Sequence, residues 1–169
     1  MSFLRSVILG SVLIGLVGVG NAVAGSSGVI RIETPDAAVV GKGDAFVGEA
    51  NRPSAVYFNP AGIVQMDSAQ LSAGVTFLQP QINYTAPSGE KLQMIRNTFI
   101  FPHVYVTTPV ANKFYVGIGE NSNWGAGNSW SPDSLSTFTR YSMIHDEFDN
   151  QDIMFVGAYK VNDQLSFGV

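Results

Sequence analysis

The run Leu71-Ser72-Ala73-Gly74-Val75-Thr76-Phe77 decides the fold. Leu71, Ala73, Val75 and Phe77 alternate with Ser72, Gly74 and Thr76, and a period of two sends the two sets to opposite faces of a β-strand. The phase shifts near Gln79-Pro80, after which Ile82 and Tyr84 carry the apolar face onward; a proline removes a ladder donor, so a bulge or kink is expected there. A second strand is expected over residues 98–107, interrupted by Pro102, and a third over residues 113–120. In the third, Phe114, Val116 and Ile118 share one face, while Tyr115, Gly117 and Gly119 share the other, which suits a surface needing little side-chain volume. A fourth strand covers residues 152–160, and a fifth begins at Leu165.

The connections are more informative than the strands. Residues 108–112 and 161–164 are short and turn-like, whereas residues 85–97 and 121–151 are long, the latter rich in Asn, Ser, Gly and Asp. Long links alternating with short ones are the pattern of an up-and-down membrane barrel with short periplasmic turns and long external loops. A sandwich has no reason to put every long loop at one end. Tyr84, Phe99, Tyr105, Phe114 and Tyr159 lie near strand ends, where they either form interfacial girdles or fill a core. Four or five strands fall below the roughly eight of the smallest familiar barrels. A five-stranded sheet alone would also leave two unpaired edges in lipid. The expectation is therefore the first part of a larger barrel, with assembly of several copies as the alternative.

Composition agrees with a lipid-facing surface. The 169 residues are 46% hydrophobic but only 13% charged, and that charged share is about half of what a soluble domain carries. The net charge of −4 argues against a phosphate-seeking surface, so nucleic acid is not an expected partner. Cysteine is absent, which excludes disulfides, thiolate metal sites and cysteine nucleophiles.

Residues 1–24 have the three parts of a secretory signal: Arg5 near the start, an apolar run over residues 7–19, and the small-x-small site Ala22-Val23-Ala24. Cleavage is expected before Gly25. A retained anchor fits less well, because the apolar run is shorter than the ~20 residues of a spanning helix. No other stretch approaches a transmembrane helix, which leaves an outer-membrane barrel or a soluble periplasmic β-protein.

Residues 25–68 do not alternate. They contain Gly41-Lys42-Gly43-Asp44-Ala45-Phe46-Val47-Gly48-Glu49-Ala50 and then Ala55-Val56-Tyr57-Phe58-Asn59-Pro60-Ala61-Gly62. Here the chain resembles the FadL/TodX family of outer-membrane transport proteins, whose members carry G-x-[GA]-x-A-[FY]-x-G-E-A followed by [YF]-x-N-P-A-[GA] ahead of the first barrel strand. The run Gly157-Ala158-Tyr159-Lys160-Val161-Asn162-Asp163-Gln164-Leu165-Ser166-Phe167-Gly168 is similar to a strand-turn-strand common in that family. The resemblance implies an all-β fold: the first four to five strands of a transmembrane antiparallel β-barrel (residues 69–169), preceded by a lumen-plugging hatch (residues 25–68). It also implies hatch or gating roles for Gly43, Phe46, Gly48, Glu49, Asn59, Pro60, Ala61 and Gly62.

In a hatch, the small residues would let backbone lie close to the barrel wall. Phe46, Tyr57 and Phe58 would plug apolar gaps. Glu49 should be buried or semi-buried, partnered by Arg, Lys or backbone amides. Asn59 would bond nearby backbone, and Pro60 would fix the chain direction.

Rival readings of these motifs are weaker. Gly41, Gly43 and Gly48 lack the G-x-G-x-x-G spacing and a preceding hydrophobic strand, so no dinucleotide site is expected. Asn59-Pro60-Ala61 also occurs as a cap of half-helices in helical channels, but nothing here supplies the helices; an ordinary turn is the blander reading. His103 and His145 show no metal-ligand spacing, and a structural role is expected for His103 on its strand. Asp146, Glu147, Asp149 and Asp152 read as solvated loop charge without an EF-hand pattern. No serine has a G-x-S-x-G context. Neither catalytic residues, nor a metal, nor a cofactor is expected.

In the long loop, Leu135, Phe138, Tyr141 or Met143, and Ile144 fit an apolar helical stripe. With Trp124 and Trp130 it reads either as an external patch that first captures a hydrophobic ligand or as a loop packed on itself; Trp124, Trp130 and Phe138 are its candidates. The expected function is passive, non-enzymatic uptake of hydrophobic small molecules by a monomer in the outer membrane, in contact with lipid and lipopolysaccharide. The resemblance implies long-chain fatty acids or aromatic hydrocarbons as substrates. A structural or adhesive barrel that transports nothing is the alternative.

Overall fold

The computed structural model describes residues 30–31, 35–130 and 144–169; the proposed signal segment, residues 1–24, lies outside them. The described strands are β1 (Ile30–Arg31), β2 (Gln70–Leu78), β3 (Asn83–Thr85), β4 (Lys91–Gln93), β5 (Phe99–Ala111), β6 (Phe114–Asn121), β7 (Trp124–Ser129), β8 (His145–Asp149), β9 (Asp152–Asn162) and β10 (Leu165–Gly168). Between β1 and β2 lie the short helices α1 (Ala37–Val40) and α2 (Ala55–Phe58) and a 3-10 helix, Pro60–Gln65. Among the described residues no helix is long and apolar enough to cross a membrane.

The alternating stretches pair into one antiparallel sheet, ordered β10-β9-β6-β5-β2, which is open along β2 and β10. Its register explains its two faces. Leu71, Val106, Ile118 and Phe155 lie opposite one another across four strands and are all exposed. Two rows nearer the tight turns, Phe114 and Tyr159 pair with ring centroids 4.8 Å apart on the same face. On the other face Ser72, Tyr105, Gly119 and Met154 form one row, and Gln70, Thr107, Gly117 and Val156 the next. Against this inner face packs the segment of residues 36–66, burying Val39, Phe46, Ala55, Val56, Ile63 and Met66.

Several boundaries differ from the sequence reading. Gln79-Pro80 ends β2, where a bulge or kink within one strand is the expectation; residues 83–85 then pair with β4 in a separate hairpin that closes through Ala86 and Gly89, the latter at φ 87°. A residue lacking an N–H cannot extend the ladder, and the short hairpin supplies local bonds in its place. Strand β5 runs to Ala111, and a register shift between Pro109 and Ala111 absorbs the second proline. Pro102 is tolerated because β6 does not reach that far, so β5 is an edge there. The link over residues 121–151 is not plain loop: β7 pairs with both β1 and β8 in a small three-stranded sheet. Tyr105, for which girdle and core are both open on sequence, takes the core place and is fully buried on the inner face.

Candidate functional site: the helical segment on the inner face

Backbone bonds within residues 36–66 form only local turns and short helices, and side chains tie those turns to one another. Asp36 is the first knot. It caps α1 by accepting from the Ala38 amide at 2.9 Å, and it also accepts from Ser54 Oγ at 2.6 Å and Arg52 Nε at 3.2 Å. Burial acts to raise the Asp36 pKa, but the bonds from Ser54 and Ala38 and the charge of Arg52 together outweigh it and hold the carboxyl below the usual aspartate range.

The second knot joins the two glycine-containing motifs. Asn59 Nδ2 donates to the Val47 carbonyl at 3.0 Å, and Gln65 Nε2 donates to the carbonyls of Glu49 and Ala50 at 2.9 and 3.2 Å. Asn59 is extended (φ −161°, ψ 92°), as a residue before proline must be, and Pro60 starts the 3-10 helix. Gly62 lies against Ala50 so closely that a Cβ there would sit 2.3 Å from the Ala50 Cβ. Phe46 is buried and meets Phe58 edge-to-face at 5.4 Å. Gly43 adopts φ 61° and, like Gly48, is exposed with open space around it.

Glu49 departs from the expectation of burial. Its carboxylate is solvent-exposed, bonded to Lys42 and to Asn51 Nδ2. The bond from Lys42 chiefly lowers its pKa. The motif turns its backbone, not this side chain, toward the core: Gln65 bonds the Glu49 carbonyl, while Lys42, one of the expected partner types, meets the carboxylate in solvent.

The third contact seats the segment on the sheet. Val56 fills the space over Gly117 and Gly119, where an added Cβ would lie 2.7 and 2.9 Å from its methyls. Ser166 Oγ donates to the Ala61 carbonyl at 3.0 Å, and a Cβ on Gly168 would collide with the Pro60-Ala61 backbone. Thus α2 docks on β6, and the 3-10 helix docks on β10.

Above this seat the inner face turns polar. Gly74, His103, Asn121 and Asp152 form one register row, and Asn121 Nδ2 donates to Tyr105 Oη at 2.7 Å. Sequence reasoning missed Asn121, Asn123 and the Asp36–Arg52–Ser54 knot. Only Asp36 carried a local signal, as a capping residue after a proline.

The suggested outer patch is not assembled among the described residues. Trp124 is about half-exposed on β7 and Trp130 half-buried just beyond it, whereas Phe138 and most of the apolar stripe lie outside the described residues. His145 Nδ1 meets Ser129 Oγ at 2.8 Å on an exposed strand pair.

A meander of strands with one face of bare apolar side chains and a knotted helical segment seated on the other is a wall section of a membrane β-barrel. The chain belongs to the outer membrane protein transport protein family (OMPP1/FadL/TodX), whose model matches residues 20–169. It is 29% identical over 137 residues to the long-chain fatty acid transport protein of Escherichia coli K12, covering 76% of this chain and 30% of that one. It is 33% identical over 107 residues to the 47 kDa outer membrane protein of Pasteurella multocida, covering 61% and 25%. A Pseudomonas aeruginosa FadL homologue of known crystal structure shares the fold, with TM-score 0.51 at 20% identity over 70% of this chain and 31% of that one. The chain spans about a third or less of these proteins' lengths. A soluble periplasmic domain is set aside by the family assignment.

Proposed function

We propose that this chain forms the hatch and first wall strands of a passive channel for hydrophobic small molecules across the outer membrane. Long-chain fatty acids or aromatic hydrocarbons are the substrate classes favoured. In this reading residues 1–24 direct export and are removed, residues 25–68 plug the lumen, and residues 69–169 line it as a monomer embedded in lipid and lipopolysaccharide. One observation carries the proposal. The segment holding both glycine-containing motifs is fastened to itself by side-chain bonds and meets the wall through glycine contacts and the Ser166–Ala61 bond, so it can shift without tearing a ladder of backbone bonds.

Apolar solutes partition poorly through a charged lipopolysaccharide layer, and a gated apolar path avoids that barrier. No chemical step is required, and the family's transport role favours a non-enzymatic protein. The test compares uptake of a labelled fatty acid and an aromatic hydrocarbon in cells with and without the gene. Faster uptake of at least one is expected; equal uptake of every apolar solute would defeat the proposal. Replacing Asn59, Pro60 and Ala61 together should alter uptake in a channel, whereas a purely adhesive barrel should lose surface attachment alone.

A further inference from the structure

The inner face carries hydrogen-bonding capacity that the protein does not use. Asn121 Nδ2 is bound to Tyr105 Oη, yet Asn121 Oδ1 is buried with no partner among the described residues. Asn123 Nδ2 donates to Asp152 Oδ2 at 2.7 Å, yet Asn123 Oδ1 is likewise buried and unpartnered. His103 Nδ1 is a third such atom at this row; Glu120 Oε1 and Asn128 Oδ1, also unpartnered among the described residues, lie off it. Asn121, Asn123 and His103 are 0%, 6% and 8% exposed, so bulk water does not serve them. A folded protein leaves few buried polar atoms unpaired, and a group of three around one register row calls for a partner.

The surroundings describe that partner. Below the row lie Gly119, Met154 and the Val56 methyls of the seated segment. Above it, Phe101 is buried against Gly125, and Phe99 stacks beside it at 6.5 Å. A polar band between apolar layers matches a molecule with an apolar body and one small polar head. Two of the open atoms are amide oxygens, which accept only; the imidazole nitrogen accepts or donates according to tautomer. A hydroxyl gives one hydrogen bond, to one amide oxygen, and can take one from an imidazole N–H, so it pairs two of the three open atoms. A carboxylate brings acceptors alone and would face two amide oxygens and Asp152. An alkane would leave all three atoms unpaired. An ammonium would bring a full charge to open atoms of which two belong to uncharged amides, a poorer match than a neutral donor.

We infer that the band formed by His103, Asn121 and Asn123 is a binding subsite for the hydroxyl group of an uncharged, otherwise apolar solute such as a phenol or fatty alcohol. The inference rests on the uptake reading above and narrows its substrate class.

The test uses protein purified from outer membranes in detergent and four probes sharing one ring system: naphthalene, 1-naphthol, 1-naphthoate and 1-naphthylmethylammonium. Binding is read by equilibrium dialysis. In the unaltered protein 1-naphthol should bind about tenfold more tightly than each of the other three, the scale of one or two buried hydrogen bonds. Asn123→Ala and Asn121→Ala should each remove most of that preference. Leu71→Ala, on the opposite face, should preserve it.

Heat-modifiable migration on gels checks that each variant is folded, and the preference of the unaltered protein stands as a test if either asparagine variant is not. Equal binding of naphthol and naphthalene would mean that water or other protein groups fill the band, and would overturn the inference. So would tighter binding of the anion or the cation, or a naphthol preference that survives both asparagine changes. Those results leave uptake itself intact. Failure of all four probes to bind, together with absent uptake, would instead sink the transport reading.

Discussion

The two faces of the five-stranded sheet are made from the same residues in alternation, yet they follow opposite rules. On the outer face Leu71, Val106, Ile118 and Phe155 stand bare, an arrangement that water would penalise and lipid would not. On the inner face β6 shrinks to Gly117 and Gly119 between larger neighbours, so that Val56 of another segment can lie on its backbone. Glycine shows the difference best. Gly157 on the outer side has nothing within 4 Å of an added Cβ, whereas Gly168 on the inner side would meet the Pro60-Ala61 backbone at 2.3 Å. One face is therefore specified by the solvent it meets and the other by a shape.

The largest effect should come from breaking the solvent rule. Phe155→Lys places an ammonium in the middle of the apolar surface and should destabilise the barrel in lipid bilayers by about 2–4 kcal/mol. Phe155→Leu should change stability little. Urea unfolding in vesicles measures both, and equal midpoints for the two variants would show that this face does not meet lipid.

A smaller effect should come from breaking the shape rule. Gly168→Val forces the 3-10 helix off β10, because the atoms it meets are backbone and cannot rotate away. A destabilisation of roughly 1–3 kcal/mol is expected, with the loss concentrated in residues 36–66, while Gly157→Val should be nearly silent. The natural chain has no cysteine, so a single cysteine introduced at exposed Val47 reports through its rate of thiol labelling. Faster labelling with Gly168→Val alone is the expected result. Identical rates in both glycine variants would remove the claim that this contact seats the segment.

This comparison was partly legible in the amino-acid order. Alternation around Leu71 and around Phe114 is a local signal with period two, so the strands and the small-residue face of β6 could be read directly. The seat itself could not. That Val56 is what covers Gly117 and Gly119, or that Ser166 bonds Ala61 across 105 residues, depends on how the chain returns to itself. The motif around residues 43–50 was visible as a pattern, but the direction of each side chain was not. Glu49 was expected inward, yet it pairs with Lys42 in solvent while its carbonyl does the internal bonding. Pro80 reads as a bulge or kink because it removes a ladder donor and the apolar phase resumes after it; the pairing of residues 83–85 with 91–93 is a choice of partner, which periodicity does not encode. The polar band is least legible of all. His103, Asn121 and Asp152 are scattered through the sequence and become neighbours only through strand register.

The smallest effect concerns what holds the inner-face segment to itself when neither face is altered. Asp36 is 4% exposed and bonded by Ser54, Ala38 and Arg52, and its folded pKa lies below the ordinary value of 3.8. A depressed carboxylate pKa contributes stability that is fully present above the unfolded value and is lost as pH falls through the folded one. Thiol labelling of the Val47 cysteine with an acid-tolerant disulfide reagent should therefore be flat from pH 7 to about pH 5 and rise below about pH 4. Asp36→Asn cannot ionise, so it should label somewhat faster at neutral pH, a weakening on the order of 1 kcal/mol, and should lose the acid-dependent rise. If the natural chain and Asp36→Asn share one acid profile, another carboxylate governs the segment, and the knot at Asp36 is only a helix cap.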